Sequence, residues 1–179
     1  MEFIKKNIKI FIISGKARSG KSETSNIIKN FYKEKKCITI SFAYYLKDYV
    51  KRITNWDGNE ETKPRELLQQ LGIELIKNKI NNQLLINRIL EDIEVFTYFY
   101  DIIIINDARL VDEIESIKEK YKDSICIRII RNKENNLSET EKQHITETEL
   151  DNYNNFDYVI NNNSYEELVI NLNKILRSI

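Results

Sequence analysis

The chain has 179 residues, and its 28 lysines plus arginines balance 28 aspartates plus glutamates to a formal net charge of zero. This length is typical of one folded domain with a sizeable core. The balanced charge argues against a dedicated nucleic-acid binder, because such proteins usually carry a basic excess. No apolar run approaches the roughly 20 residues that span a bilayer, so we expect no membrane partner and a cytoplasmic location.

The N-terminal segment MEFIKKNIKIFIIS places lysines before an apolar stretch, as a signal peptide does. Lys9 interrupts that stretch and no small-residue cleavage site follows, so we expect a strand instead. Cys37 and Cys126 lie far apart in strand-like surroundings and form no CxxC pair, which predicts two buried, inert thiols. A single histidine gives no support for a zinc site.

Apolar runs with the periods of strands and of helices alternate along the chain, and this alternation predicts an α/β fold. In chain order we predict a strand at 8–14, helix 21–34, strand 37–41, helices 43–54, 64–78 and 82–97, strand 101–106, helix 109–121, strand 124–130, strand 156–160 and helix 164–178. The isoleucine run in DIIIIN (101–106) is typical of a strand buried on both faces of a parallel sheet. Residues 132–150 are polar and charged, which favours a mobile flap.

Within the helix predicted at 64–78, Pro64 suits the first turn. Four leucines are predicted to share its apolar face: Leu67, Leu68, Leu71 and Leu75.

Residues 15–22 read GKARSGKS, a full match to the phosphate-loop pattern G-x-x-x-x-G-K-[ST], between a predicted strand and a predicted helix. Gly15 and Gly20 permit a turn that aims backbone N–H groups at phosphates, and the helix start adds its positive dipole end. We expect Lys21 to reach the β- and γ-phosphates of ATP and the Ser22 hydroxyl to bind Mg²⁺. The predicted nucleotide-binding residues are Gly15, Lys16, Ala17, Arg18, Ser19, Gly20, Lys21, Ser22 and Glu23. The alternative is a glycine turn that binds nothing.

Asp107 directly follows the isoleucine-rich strand. The carboxyl ends of parallel strands are where open α/β sheets bind ligands, so this acid is expected to hold Mg²⁺ directly or through water. The alternative role is an N-cap of the helix predicted at 109–121, since aspartate is a favoured cap.

The class of phosphate-loop protein follows from what the rest of the chain contains. A GTPase needs a guanine-reading N-K-x-D, whereas the nearest string here is NKEN at Asn132–Asn135. AAA-type and helicase ATPases are generally larger than this chain. A small-molecule kinase is the class that the length favours.

Four further segments after the phosphate loop resemble motifs of a known family and occur in the same order. They are SFAYYLKDYVKRI (41–53), TKPRELLQQLGIELIK (62–77), INDARLVDEIESI (105–117) and HITETELDNYNNFDYVINNN (144–163). Together with GKARSGKS they resemble the deoxynucleoside monophosphate kinase family, within the adenylate-kinase-like P-loop kinases. The resemblance implies a three-layer α/β sandwich with a five-stranded, mainly parallel sheet in the order 2-3-1-4-5. It also implies a single domain over 1–179, an acceptor-binding region at about 43–98 and a lid at about 131–148.

The activity implied by this resemblance is Mg-ATP-dependent phosphorylation of a nucleoside or deoxynucleoside monophosphate to the diphosphate. The chain departs from the family pattern at HITE in place of HPSE, at Ile73 in place of a threonine, and at Ser22 in place of an aspartate. These departures concern the choice of base or sugar more than phosphoryl transfer. Animal-type phosphomevalonate kinases share several of the same features, but the segment PRELLQQLG favours the nucleotide kinases.

Transfer from one phosphate to another requires cations around both groups, and arginine binds phosphate bidentately. We expect Arg65 to grip the acceptor phosphate, or otherwise to be a solvated arginine at a helix start. Arg109 has the same expected role, with an ion pair to Asp112 or Glu113 as the alternative. Lys47 is expected to face the acceptor or to remain solvated on its helix.

Arg88 lies within the apolar string LLINRIL, and a buried charge needs a partner, so we predict an inward contact with a substrate anion. Arg131 follows a predicted strand and is expected to close on the transferring phosphoryl group. With Lys21 and Asp107 it completes the predicted catalytic set. By resemblance, His144 and Glu147 belong to the lid or substrate region. The alternative is that this string stabilises a helix start, with Thr146 or Glu147 as the cap.

No side-chain base is needed, because an acceptor phosphate oxygen is already anionic near pH 7. The expected partner is therefore a small-molecule substrate, with both a monomer and a homodimer left open. A non-catalytic nucleotide-binding regulator is the alternative from another class, and acceleration of ADP formation by an acceptor distinguishes the two.

Overall fold

Five parallel strands form the centre of the computed structural model, which describes residues 2–131 and 142–179. The strands are β1 (Lys9–Ser14), β2 (Cys37–Ile40), β3 (Ile102–Ala108), β4 (Ile125–Ile130) and β5 (Tyr158–Asn161). Their order across the sheet is β2-β3-β1-β4-β5. The predicted fold class and strand order are therefore confirmed.

Helices connect the strands and cover both faces of the sheet. They are α1 (Lys21–Phe31), α2 (Phe42–Thr54), α3 (Arg65–Gln69), a π-helix (Gln70–Ile80), α4 (Leu84–Phe96), α5 (Val111–Lys120), α6 (Ile145–Thr148), a 3₁₀ turn (Glu149–Asn152) and α7 (Tyr165–Ser178). Within the described ranges, none of them has the length and hydropathy of a membrane-spanning helix.

The isoleucines of β3 alternate between the two hydrophobic layers. Ile103 and Ile105 pack on the face covered by α4 and α5, while Ile102 and Ile104 pack on the face covered by α1 and α7. All of them are nearly or fully buried, as a central strand of a three-layer fold requires. β1 lies beside β3 and follows the same alternation, which places the phosphate loop at the centre of the sheet edge.

The helix predicted at 64–78 changes character at Gln70, where α3 passes into the π-helix. The amide of Asn81 donates to the carbonyl of Ile76 at 2.9 Å, five residues earlier. The wider turn brings Leu68, Gly72 and Ile76 to the buried side and leaves Leu75 43% exposed. The predicted apolar face that included Leu75 is therefore wrong for that residue.

Both cysteines are free thiols. Cys126 is fully buried in the sheet, and burial raises the pKa of its thiol to about 12. Cys37 is half-buried at the start of β2, and burial raises its pKa as well. A raised pKa keeps a thiol protonated and unreactive near neutral pH.

Candidate active site

The phosphate loop joins β1 to α1 and depends on two glycines. Gly20 has a left-handed φ of 106°, and an added Cβ there would lie 2.3 Å from Nδ2 of Asn162. An added Cβ at Gly15 would lie 2.7 Å from the carbonyl oxygen of Ile129. A larger residue would clash with a backbone carbonyl at Gly15, and at Gly20 it would clash with a side chain and adopt a strained φ, so the loop's shape favours glycine at both positions.

The loop and the first turn of α1 form a cradle of unpaired donors. In the described part of the chain, no side chain caps α1, so the N–H groups of Lys21, Ser22 and Glu23 have no helical acceptor. The buried hydroxyl of Ser19 likewise has no partner among the described residues. Donors of this kind at a helix N-terminus bind anions, so the arrangement fits the phosphates of a nucleotide.

Lys21 lies at the base of this cradle. Its ammonium donates to the carbonyls of Gly15 at 2.8 Å and Lys16 at 2.7 Å. Burial, followed by the positive charge of Arg109, lowers the pKa of Lys21 to about 7. A bound phosphate would stabilise the protonated form of Lys21 and would therefore raise its pKa.

The other polar side chains of the loop are mostly exposed. Nζ of Lys16 pairs with Asp151 at 2.7 Å. Arg18 has a left-handed φ of 61° and is exposed, as are Ser22 and Glu23. The phosphate-binding role predicted for these residues therefore rests on their backbone, apart from the Ser22 hydroxyl.

The segment 144–163 braces the loop at three of its residues. Glu147 accepts a 2.8 Å hydrogen bond from the N–H of Ala17, and Asn162 donates at 2.7 Å to the carbonyl of Ser19. Asp151 pairs with Lys16 of the loop and also accepts from buried Arg128 at 3.3 Å. Sequence reasoning gave no role to Asp151, Asn162 or Arg128. The signal for the first two was their place in a family-like segment.

We expect Asn162→Ala to weaken Mg-ATP binding by about tenfold and to lower the free energy of unfolding by about 1–2 kcal/mol. The substitution removes the buried hydrogen bond to the Ser19 carbonyl and leaves that carbonyl without its partner. Calorimetric titration with Mg-ATP and urea unfolding measure the two effects. Asn161→Ala, one residue earlier and exposed, is the matched control. Equal behaviour of the two variants would contradict the bracing role.

Asp107 lies near the end of β3, and both of its carboxylate oxygens accept hydrogen bonds from α2. The partners are the N–H groups of Phe42 and Ala43, each at 2.9 Å. Asp107 thus caps α2, and the alternative prediction that it caps the helix after β3 is wrong. Burial raises the pKa of its carboxyl, and these two amides are the largest opposing influence.

A magnesium site, if formed here, would depend mostly on the nucleotide. The described residues contain no group of three or more His, Cys, Asp or Glu side chains suited to a metal. Each oxygen of Asp107 keeps a second lone pair, and the Ser22 hydroxyl is exposed beside the loop. Both groups fit a hydrated Mg²⁺ held by phosphates, and their metal role stays a prediction.

Glu113 performs the capping that was considered for Asp107. Its Oε2 accepts from the N–H groups of Arg109 at 2.7 Å and Leu110 at 3.1 Å, ahead of α5. Burial raises the pKa of Glu113 to about 8. The folded protein therefore holds this proton more tightly than the unfolded chain does, so this group's stabilising effect is greatest at low pH.

Between pH 5 and pH 8, we expect the wild type to lose about 3 kcal/mol of stability relative to Glu113→Gln, since each pKa unit is worth about 1.4 kcal/mol. The wild type must release the buried proton as the pH rises toward about 8, and the amide has no proton to release. Urea unfolding at both pH values measures the difference. Glu119→Gln, on an exposed position of α5, should show no such trend.

A cavity beside the loop brings together several of the predicted site residues. It is lined by Ala17, Lys47, Arg65, Asp107, Arg109 and Glu147. Apolar side chains supply most of the remaining lining: Phe42, Leu46, Leu68, Ile73, Ile76, Leu85, Ile86 and Leu110. Two further lysines, Lys63 and Lys77, line the cavity and were not predicted.

The cations of this cavity differ in their partners. Lys47 and Lys63 both pair with Glu60, at 2.8 Å and 3.1 Å, and the hydrogen bond from Lys47 is the main cause that lowers the pKa of Glu60 to about 2. Arg65 is half-buried, and its guanidinium makes no hydrogen bond or ion pair within the described ranges. It is therefore the cavity cation best placed to accept an external anion.

Arg109 takes a different partner from the two that were predicted as alternatives. Its guanidinium pairs with Glu147 and lies 3.4 Å from the carbonyl oxygen of Thr146. The contact of Arg109 with Glu113 is made by the Arg109 backbone N–H and not by its guanidinium, and Asp112 pairs with Lys77 at 3.5 Å. The predicted ion pair to Asp112 or Glu113 is wrong, and the segment carrying Glu147 holds Arg109 instead.

Three of the predicted site residues do not line this cavity, namely Arg88, His144 and Arg131. Arg88 is on the exposed side of α4, so its predicted inward orientation is wrong. His144 accepts from the N–H of Thr146 at 3.3 Å and is itself the cap of α6, in place of the predicted Thr146 or Glu147.

Arg131 is exposed after β4 and lines a second cavity of about 600 Å³ with Lys16 and Arg128. Residues 132–141 of the predicted flap (132–150) lie outside the described residues. The closure of Arg131 on the transferring phosphoryl group therefore stays a prediction. At the described end of this segment, Glu147 is buried and Leu150 packs into the core with 3% exposure.

Several solved structures that match nearly the full length of this chain share its fold. TT1252 from Thermus thermophilus is 11% identical over 97% of this chain and 99% of its own, with a TM-score of 0.55. A gluconokinase from Sinorhizobium meliloti 1021 is 10% identical over 97% of both chains, with a TM-score of 0.52. The shikimate kinase of Aquifex aeolicus vf5 is 12% identical over 96% and 97%, with a TM-score of 0.51. Identities this low establish the fold alone.

The parallel sheet in this order, with a phosphate loop after its central strand β1, defines a P-loop nucleotide-binding fold. The model of the deoxynucleotide monophosphate kinase family matches residues 45–172, well over half of the sequence. The chain belongs to that family, as the resemblance of its segments predicted. No curated protein matches the chain significantly.

Proposed function

We propose that the protein transfers the γ-phosphoryl group of Mg-ATP to a nucleoside or deoxynucleoside monophosphate. The observation that carries this proposal is the cavity that opens directly onto the phosphate loop at Ala17. Its apolar lining suits the faces of a base, and its cations Lys47, Lys63 and Arg65 suit a phosphate. The family match supports the same class of acceptor.

In this proposal the donor phosphates lie on the amides of the loop and of the first turn of α1, with Lys21 beside them. An anionic oxygen of the acceptor phosphate attacks the γ-phosphorus, the bond to the β-phosphate oxygen breaks, and ADP leaves. Arg65 holds the acceptor phosphate, and Arg109 neutralises charge between the two groups. Catalysis is then positioning and charge neutralisation, without a side-chain base.

When bound, Mg²⁺ would neutralise charge on the β- and γ-phosphates, with Ser22 and Asp107 as the protein groups available to it. The two amides of α2 hold the Asp107 carboxylate in place. That contact links the metal side of the site to the helix that lines the acceptor cavity, because Phe42, Ala43 and Leu46 of α2 line it too.

The test is coupled ADP production with Mg-ATP across the ribo- and deoxyribonucleoside monophosphates, with phosphomevalonate as a comparison acceptor. We expect one or a few of the nucleotides to accelerate ADP formation. Acceleration by phosphomevalonate alone, or ATP binding with no accelerating acceptor, would overturn the proposal. The second result would favour a nucleotide-binding regulator.

A further inference from the structure

Glu147 is a buried carboxylate that lies where the two cavities meet. Its side chain is 5% exposed and lines both the cavity containing Arg65 and the cavity containing Arg131. One oxygen accepts from the N–H of Ala17 in the loop, and the other pairs with the guanidinium of Arg109. A loop N–H group and an arginine are the donors that a phosphoryl group uses.

We propose that the Glu147 carboxylate stands in for a phosphoryl group in the empty enzyme and that an incoming phosphate must displace it. The inference rests on the proposed function, because it assumes that the loop binds nucleotide phosphates. What the inference adds is that the Glu147 carboxylate competes with the substrate phosphate for the same donors. The carboxylate satisfies Ala17 and Arg109 while no substrate is bound, and it releases both donors when substrate arrives.

The charges around Glu147 make this exchange possible. Its carboxylate influences or contacts Lys21, Arg109 and Arg128, and the first two are needed by the substrate in the proposed function. Two anions that share these donors repel each other, so either the carboxylate or the phosphate occupies the place. Arg109 is thereby held close to the loop, ready to transfer from one anion to the other.

The segment that carries Glu147 is anchored independently of this contact. Leu150 is buried in the core, and Glu149 accepts a 2.9 Å hydrogen bond from the N–H of Val111. Displacement therefore requires the Glu147 side chain to leave its partners, while the neighbouring residues keep theirs. Removing the charge at 147 should free the loop without removing the segment's anchors.

The experiment is calorimetric titration of the full chain with Mg-ATP and with metal-free pyrophosphate. We expect Glu147→Gln to bind both ligands about tenfold more tightly than the wild type, because a like charge next to the phosphate is gone. Glu166→Gln removes the same charge at an exposed position of α7 and should bind as the wild type does. Thermal unfolding shows whether Glu147→Gln is folded. If it is not, Glu147→Met, which is neutral and of similar length, is used in its place.

Unchanged or weaker binding of both ligands by Glu147→Gln would overturn the inference, since a purely structural role can only weaken binding. Weaker binding of Mg-ATP alone would also overturn it and would indicate a metal ligand instead. The proposed function fails separately: either the wild type does not bind Mg-ATP, or Lys21→Ala binds it equally well.

Discussion

Lys21→Ala is expected to lower kcat/KM for Mg-ATP by about 10³-fold or more while the protein remains folded. The ammonium lies against the carbonyls of Gly15 and Lys16, inside the loop that would surround the transferred charge. Burial lowers the pKa of this ammonium, so the substitution removes an unfavourably buried charge, and we expect the variant to fold. Coupled ADP production measures the activity, and thermal unfolding measures the fold.

Lys16→Ala is the matched control for this prediction, because it removes another lysine of the same loop. The Lys16 side chain is 47% exposed and pairs with Asp151 rather than with the loop. We expect its loss to lower kcat/KM by less than about tenfold, as for a surface ion pair. Equal losses in the two variants, or wild-type activity in Lys21→Ala, would contradict the assignment of the site.

The second large effect is expected at Arg65, where alanine should raise the KM for the acceptor by about 100-fold with little change in the KM for Mg-ATP. Arg65 opens α3, lines the acceptor cavity and has no ionic partner in the part of the chain that the structure describes. A charge-assisted contact with phosphate contributes about 1.5–3 kcal/mol, which corresponds to a change of this size. Initial rates with each substrate varied in turn separate the two KM values.

Arg88→Ala removes an arginine that the sequence also assigned to the acceptor but that the structure places on the exposed side of α4. We expect the acceptor KM of this control to stay within about twofold of the wild type, as is usual for surface substitutions. If Arg88→Ala raised the acceptor KM and Arg65→Ala did not, the acceptor would bind elsewhere than in the cavity.

The strands and the phosphate loop were predictable because their signals are local. The burial of Ile102 to Ile105 on alternate faces of the sheet follows from a run of apolar β-branched residues. The phosphate loop follows from two glycines at a fixed spacing. The face of the helix after Pro64 was not predictable in the same way. A regular helical period assigned Leu75 to the core, whereas the π-helix rotates it outward and brings in Gly72 and Ile76.

The roles of the charged residues divide along the same line. The isoleucines before Asp107 indicated that it lies at a strand end. Its partners in α2 could not be predicted, because they lie more than 60 residues earlier in the chain. Arg88 looked buried because its neighbours are apolar, yet those neighbours occupy the other side of α4. Apolar surroundings in sequence do not establish burial on a helix, since adjacent residues face different directions.

The sequence by itself determined the α/β class, the position of the phosphate-loop motif and the family, because each depends on short-range patterns of residue type. Only the tertiary structure decided which partner each charged group takes. Glu147 reaches Ala17 across 130 residues, and Asn162 reaches Ser19 across 143. Such pairs form because the fold brings segments that are distant in the chain together at the carboxyl edge of the parallel sheet, and no local pattern encodes that meeting.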